Sequence, residues 1–395
     1  MQNTSHDFDA IIVGAGPVGT VIALQLAKQG RRVAVVEARA SRVNTDSTTQ
    51  DPRILALSRL SVDLLQQAGV TLPVKQLTAI QQVHVSQAGA FGRTLLSGAD
   101  IGVTDLGYTM AYHDLDQAVG HALNQAPIHL FQGWRGEKIG NLAAYASLTI
   151  RHPEQGQQLL TSKLLIAAEG GSVLQQLPSL HHHVHDYEQS ALLCRLALAE
   201  GYQHQHIAYE RFAEGGPFAL LPVGSEMMLV WTRRHAAAEA LLNSTPAEFL
   251  DALHQICGHK LRFAACVSPP QAIPLRLKLA NKLHAGRVVL VGNAAQTLHP
   301  VAAQGLNLGL RDADTLLPLL AHARDIGAPA LLHCYQRQRQ RDRLTITAFT
   351  HSLIGLFDHH DPISRLGRGI ALSALDMLTP LRQRFTHKLV FGLEY

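Results

Sequence analysis

Ala10-Ile11-Ile12-Val13-Gly14-Ala15-Gly16-Pro17-Val18-Gly19 carries a short apolar run straight into the pattern G-x-G-x-x-G. Apolar residues then recur at helical spacing from Val18 to Gln29, with Gly30 placed as the stop. Val33 to Val36 is a second apolar run, and it ends on Glu37, 18 residues past Gly19. Strand, glycine turn, helix, strand and acid in this order predict a βαβ unit that binds a dinucleotide. Gly14 permits the tight turn, Gly16 lets a pyrophosphate approach the backbone, and Gly19 allows close contact between helix and strand. The phosphates then face the positive end of the helix, and Glu37 accepts hydrogen bonds from ribose hydroxyls. An acid at that place favours a free 2′-hydroxyl, so FAD or NAD fits here and NADP does not.

Outward from this unit, a helix is predicted over Arg59–Ala68, stopped by Gly69. Two more apolar strands run into glycine-bearing turns: Leu164–Ala168 before Glu169-Gly170, and Val288–Val291 before Gly292. Strands buried on both faces, each leading to a helix, indicate a parallel sheet. Between the last two the texture changes. Ala191–Ala199, Phe218–Val223 and Met227–Thr232 read as strands, the latter two as a hairpin turning at Gly224-Ser225-Glu226. Beyond Pro329 the chain reads as mostly helical. The predicted division is a discontinuous nucleotide domain (1–75, 105–180 and 285–330), a substrate domain (76–104 and 181–284) and a C-terminal helical region (331–395).

Composition excludes several classes. The 395 residues contain 34 Lys+Arg against 30 Asp+Glu, and a net charge of +4 is too small to indicate nucleic-acid binding. With 47% apolar and 16% charged residues the chain is globular, not disordered. Cys194, Cys257, Cys266 and Cys334 form no C-x-x-C pair, so no zinc ribbon or disulfide framework is readable. His181-His182-His183 and His185 lack a completing ligand at metal spacing, and they read as a solvated connection; no metal is expected. A polar N-terminus and the lack of any 18-residue apolar run predict a cytoplasmic protein, at most peripheral on a membrane.

The choice of cofactor comes from the far end. Gly286 to Asp312 is a strand, a turn at Gly292-Asn293, a proline-broken loop through His299-Pro300, and a helix start at Gln304-Gly305-Leu306-Asn307. This block resembles the second flavin motif of the FAD-dependent aromatic hydroxylases. Asp51-Pro52-Arg53-Ile54-Leu55-Ala56-Leu57-Ser58 and Ala168-Glu169-Gly170-Gly171 resemble two further motifs of that family. Tyr187-Glu188-Gln189, Glu210-Arg211-Phe212 with Gly216-Pro217, Leu221-Pro222, Leu229-Val230-Trp231 and the segment from Tyr335 are similar to its ubiquinone-pathway branch. The likeness covers essentially the whole chain.

It implies an α/β fold: a Rossmann-like, GR2-type FAD domain with an inserted antiparallel sheet and a helical C-terminus. It implies FAD held by Gly14, Ala15, Gly16, Pro17, Val18, Gly19, Glu37, Ala38, Arg39, Arg53, Gln117, Glu169, Gly170, Gly292, Asn293, Pro300, Gly305, Leu306 and Asn307. It further implies NAD(P)H as reductant and O₂ as oxidant, hydroxylating a prenylated methoxyphenol para to its hydroxyl. His299, Pro300 and Gln304 are the candidate catalytic residues, His299 as a positioning group or a general base. The Leu298–Gly305 loop is expected below the ring, with the sheet around Leu220–Pro222 and Trp231 as a lid. Three positions depart from the family pattern: Asn293 and Glu169 where Asp is usual, and Ala303 where Gly is usual. A sibling hydroxylase of another ring carbon, a hydroxylase of a different aromatic compound, or a non-catalytic FAD-holding subunit of a ubiquinone-biosynthesis complex fits the same residues. The basic and apolar C-terminus suits either a helical cap or contact with anionic lipid.

Overall fold

The computed structural model describes residues 6–40, 53–171, 176–213, 215–258, 260–297, 304–358 and 362–392. Within them an eight-stranded sheet runs in the order His284–Ala285, Val288–Leu290, Gly156–Ala167, Phe8–Val13, Val33–Glu37, His129–Gln132, with Arg135–Asn141 and Ala146–His152 off this path. Its centre is parallel, with Val13 beside both Val36 and Ala167, and Ala167 beside Leu290. All five residues of Val33–Glu37 are buried, as a strand covered by helices on both faces requires. The helix Pro17–Lys28 is buried almost all round because Tyr112–Gln125 and Gln304–Ala321 pack against it. Each fully buried Leu or Ile there contributes about 1.5–3 kcal/mol. Gly30 and Gly69 follow their helices in the left-handed region (φ 76° and 95°), where glycine carries no Cβ penalty.

A nine-stranded sheet runs Gln296–Thr297, Gln271–Ala280, His182–Leu198, Glu226–Arg234, Gly216–Val223, Ile207–Ala213, Gln82–Gln87, Arg93–Ser97, with Phe263–Cys266 beside His182–Leu198. Its pairings are antiparallel except Ile207–Ala213 against Gln82–Gln87. A three-stranded sheet of Ile54–Ser58, Gly107–Ala111 and Thr78–Ile80 stands apart from it. The segment 76–104 is thus shared between these two sheets, and Gln296–Thr297 returns to the large one.

Some expectations need correction. The solvated histidine stretch is not a connection but strand: His182, His183 and His185 open the 17-residue strand His182–Leu198, paired to Gln271–Ala280, with His183 and His185 exposed. His182 Nε2 lies 2.9 Å from Ala294 O, so this strand also steadies the turn after Val291. The hairpin strands are longer than the apolar runs, at Gly216–Val223 and Glu226–Arg234. Polar ends pair as well as apolar middles do, because the ladder is made by backbone.

Candidate active site

Three turns meet at the C-terminal edge of the parallel strands, where open α/β sheets bind their ligands. The first, Gly14–Gly19, follows Phe8–Val13. Gly14 sits at φ 102°, and its N–H donates to Val36 O (2.8 Å). A Cβ on Gly14 would press on the backbone N of Glu169 at 3.0 Å, so the second turn, 168–170, abuts the first. A Cβ on Gly19 would collide with Gly14 O, whereas one on Gly16 would meet nothing within 4 Å. Gly19 is therefore needed for packing, and Gly16 borders open space at a helix N-terminus. That combination fits a pyrophosphate.

Glu37 is bound on both oxygens. Oε2 accepts from Ala15 N–H (2.9 Å), and Oε1 accepts from Arg39 N–H (2.9 Å) and Arg39 Nε (3.2 Å). Burial raises its pKa, but those two N–H groups and the Arg39 charge outweigh burial and hold it below the usual carboxylate range. Arg39 also forks onto Asp116, at 3.1 Å through each terminal nitrogen.

The third turn, Gly292–Ala294, follows Val288–Leu290. Asp312 is wholly buried behind it and accepts from Gly292 N–H (2.8 Å), Gln296 Nε2 (2.7 Å) and Arg339 Nε (2.8 Å). Arg339 in turn donates to Asp342 (2.6 Å), and Tyr335 O–H donates to Leu290 O (3.0 Å). The helix Pro329–Asp358 thus braces the turn from behind, with Asn293 left exposed on the cavity side.

These turns border one cavity of about 970 Å³. At one end its wall holds Gly14, Gly16, Pro17, Val18, Glu37, Arg39, Glu169, Gly170, Gly292, Asn293, Gly305 and Leu306. Arg53 lines it too, its guanidinium 4.7 Å from the Tyr112 ring centre. At the other end the wall is the nine-stranded sheet together with Arg368, Leu372 and Phe385 of the C-terminal helices. No feature of composition pointed to that helical wall.

Not every candidate faces the cavity. Ala15 and Gly19 are buried in the turn behind it, and Ala38 is exposed beside it. Gln117 is exposed on the helix Tyr112–Gln125, its Nε2 2.8 Å from His113 Nε2. Asn307 turns its side chain into the fold. Its Oδ1 accepts from Ser58 N–H (2.9 Å) and Ser61 O–H (2.7 Å), and its Nδ2 donates to Ala56 O (2.9 Å). Gln304 opens the helix Gln304–Ala321. His299, Pro300 and Ala303 lie outside the described residues, as does most of the Leu298–Gly305 loop. The expected lid is corrected by strand alternation: Leu220 and Trp231 point away, into a second core with Phe218 and Phe249. Ala219, Leu221, Met228 and Val230 line the cavity instead.

Comparison with known proteins agrees with this architecture. The chain is 30% identical over 404 residues to the ubiquinone hydroxylase UbiL of Rhodospirillum rubrum, spanning 95% of this chain and 88% of that one. It is 27% identical over 394 residues to the 3-demethoxyubiquinol 3-hydroxylase of Escherichia coli (96% and 98%). Among solved structures, pqsL of Pseudomonas aeruginosa, described as a probable FAD-dependent monooxygenase, superposes with a TM-score of 0.74 at 21% identity, covering 93% of this chain and 99% of that one. Residues 7–350 match the profile of one family throughout, and by that match and the cradle it describes the chain belongs to the FAD_binding_3 family, the FAD binding domain.

Proposed function

We propose that this protein is an FAD-dependent, NAD(P)H-using monooxygenase that hydroxylates a prenylated methoxyphenol in ubiquinone biosynthesis, para to the hydroxyl. The observation that carries this reading is the single cavity joining the dinucleotide cradle to an apolar chamber. In such a chamber an aromatic ring and a prenyl tail find surface that matches them. The relatives named as ubiquinone hydroxylase and 3-demethoxyubiquinol 3-hydroxylase support the substrate class.

FAD, once reduced by NAD(P)H, supplies the activation of O₂. The protein's part is binding, orientation and dryness. The Gly14–Gly19 turn presents N–H groups to the phosphates, and Glu37 accepts from ribose hydroxyls. Asn293 offers an amide oxygen and N–H₂ to the chain between ribose phosphate and ring, so the loss of charge relative to Asp still leaves an acceptor. Leu221, Met228, Val230 and Leu375 keep water from the reacting ring, which limits wasteful release of peroxide.

A prenylated substrate arrives from lipid. The helices Pro362–Met377 and Thr379–Phe391 wall the cavity with Leu372, Leu375, Phe385 and Leu389; they and Leu378 between them expose Leu366, Ile370, Met377, Leu378 and Leu381 outward. Met377, at 80% exposure, is too open for a residue packed in a cap. We assign this face to the membrane surface, where it passes the tail inward. None of the helices among the described residues is long and apolar enough to cross a bilayer.

The test is product identification. Purified protein should oxidise NAD(P)H faster when a short-tailed prenyl methoxyphenol is added, and mass spectrometry with NMR should find one oxygen added para to the hydroxyl. Addition at another carbon would assign it to a sibling hydroxylase. No stimulation and no product would refute the reading.

A further inference from the structure

On the cavity side of the nine-stranded sheet, Thr94, Val85, Glu210, Ala219, Val230 and Leu193 stand in one register row across five ladders. All six line the cavity. Glu210 is the one ionisable group among them. Its Oε1 is sealed from solvent and has no hydrogen-bond partner among the described residues, and the same holds for Thr94 Oγ1. Leaving a buried polar atom unpaired costs about 1–3 kcal/mol, and more where it is charged. The residue as a whole is only half-buried and borders the cavity, so a carboxyl kept in this apolar wall points to a ligand group that meets it.

The other carboxyls of the cavity wall are placed differently. Glu37 is occupied by backbone N–H groups, and Glu169 belongs to the turn beside Gly14. Both lie at the nucleotide end. The charged neighbours of Glu210 are also accounted for. Strand alternation sends Arg93, His84 and Arg211 to the opposite face, where His84, Arg211 and Lys260 line a separate small pocket. From the helix Pro362–Met377, Arg368 reaches the cavity with its Nε held toward Gln87 Oε1 (3.3 Å), and from Gln271–Ala280 Arg276 reaches it and bonds Asp186 (3.0 Å).

We propose that Glu210 receives the hydroxyl of the aromatic substrate and takes its proton. This rests on the phenol-hydroxylase reading. The phenol O–H bond breaks, the proton bonds to a carboxylate oxygen, and the electron pair stays on the phenolate oxygen; nothing is oxidised or reduced in the step. The phenolate then feeds electron density to its ortho and para carbons, which is what an electrophilic oxygen attacks. Thr94, one strand beyond Val85, adds a hydroxyl to the same row. Burial pushes the Glu210 carboxyl up to about 8, closer to the ordinary phenol value near 10, so the transfer is nearer balance than with a solvated carboxylate.

The experiment uses the full chain loaded with FAD, and a 2-methoxyphenol with a short prenyl tail as probe. Flavin fluorescence without NAD(P)H reads the probe's affinity, and steady-state turnover with it reads kcat against pH. In the native protein kcat should rise as pH rises through about 8, where the Glu210 carboxyl gives up its own proton and can accept the phenol's. Glu210→Gln should keep FAD and bind the probe within a few-fold. It should lose the alkaline rise, with kcat down about 100-fold. Glu210→Asp should restore part of both, and it stands in if the Gln variant does not fold. If kcat of the native protein is level across about pH 7 to 9, or Glu210→Gln keeps kcat and its pH profile, the assignment is wrong. If the native protein neither binds nor hydroxylates the probe, the hydroxylase reading falls with it; normal turnover beside an unaffected Gln variant sinks Glu210 alone.

Discussion

At the residue scale, Gly16 and Asn293 make the sharpest demands on a bound cofactor. Gly16 has φ −65° and ψ 177°, a backbone shape any residue adopts, and its missing side chain faces open space. Gly16→Val should therefore fold with an unchanged melting temperature yet purify colourless, since the added methyls occupy the phosphate's place. Normal flavin absorbance in that variant would refute the cradle. Asn293→Asp keeps an acceptor and should keep FAD; Asn293→Leu strands a polar group on the cofactor at about 1–3 kcal/mol and should lower flavin occupancy, read by absorbance after gel filtration. These positions were legible because glycine patterns encode backbone shape locally. Asp312 and Arg339 were not: they are 27 residues apart, and only tertiary packing makes them one buried pair behind Gly292. Arg339→Met should strip the buried Asp312 of its guanidinium and leave Asp342 with Arg311 alone, at 3.8 Å, and cost about 3–5 kcal/mol in denaturant unfolding.

At the level of elements, the C-terminal helices depart most from what charge counting suggested. Their segment holds a surplus of basic residues, but Arg339, Arg343 and Arg368 are buried, and Arg382 is paired with Asp100 at 2.9 Å. Burial of an arginine depends on a partner elsewhere in the chain, which composition does not report. The outward face is apolar instead. Ile370→Glu with Met377→Glu should retain FAD and turn over a short-tailed phenol, while sedimentation with anionic liposomes and turnover of the long-tailed phenol both fall. Unchanged sedimentation would count against the lipid face. Deleting the two helices would be a poorer test, because they also wall the cavity. The helix Arg59–Ala68 shows the opposite case: Ser58 caps it by accepting from Ser61 N–H, Gly69 ends it, and both signals are local.

For the molecule as a whole, ion pairs tie segments distant in sequence: Lys163 to Asp9, Arg287 to Asp325 and Arg382 to Asp100. Hydrogen bonds from Arg287 and Arg382 hold Asp325 and Asp100 below the ordinary value; burial raises Asp9, and Lys163 with the Arg32 N–H outweighs it. A depressed carboxyl stabilises the fold above its unfolded pKa near 4, and that contribution is lost as pH falls through the folded value. Replacing Asp9, Asp100 and Asp325 together by Asn should flatten the fall of melting temperature between about pH 5 and 3 relative to the native chain; an unchanged acid fall would contradict these ties.

The flavin cradle is assembled from turns at Gly14, Glu169 and Gly292, and the last of them is braced from Arg339. On the ribosome these pieces emerge in that order, late members long after early ones. A nascent chain can therefore complete its βαβ unit but has no finished seat for the cofactor until nearly nine-tenths of its residues have been synthesised. Colour is acquired only after that point, so any product of a message cut short before Arg339 is an empty apoprotein left to the cell's proteases.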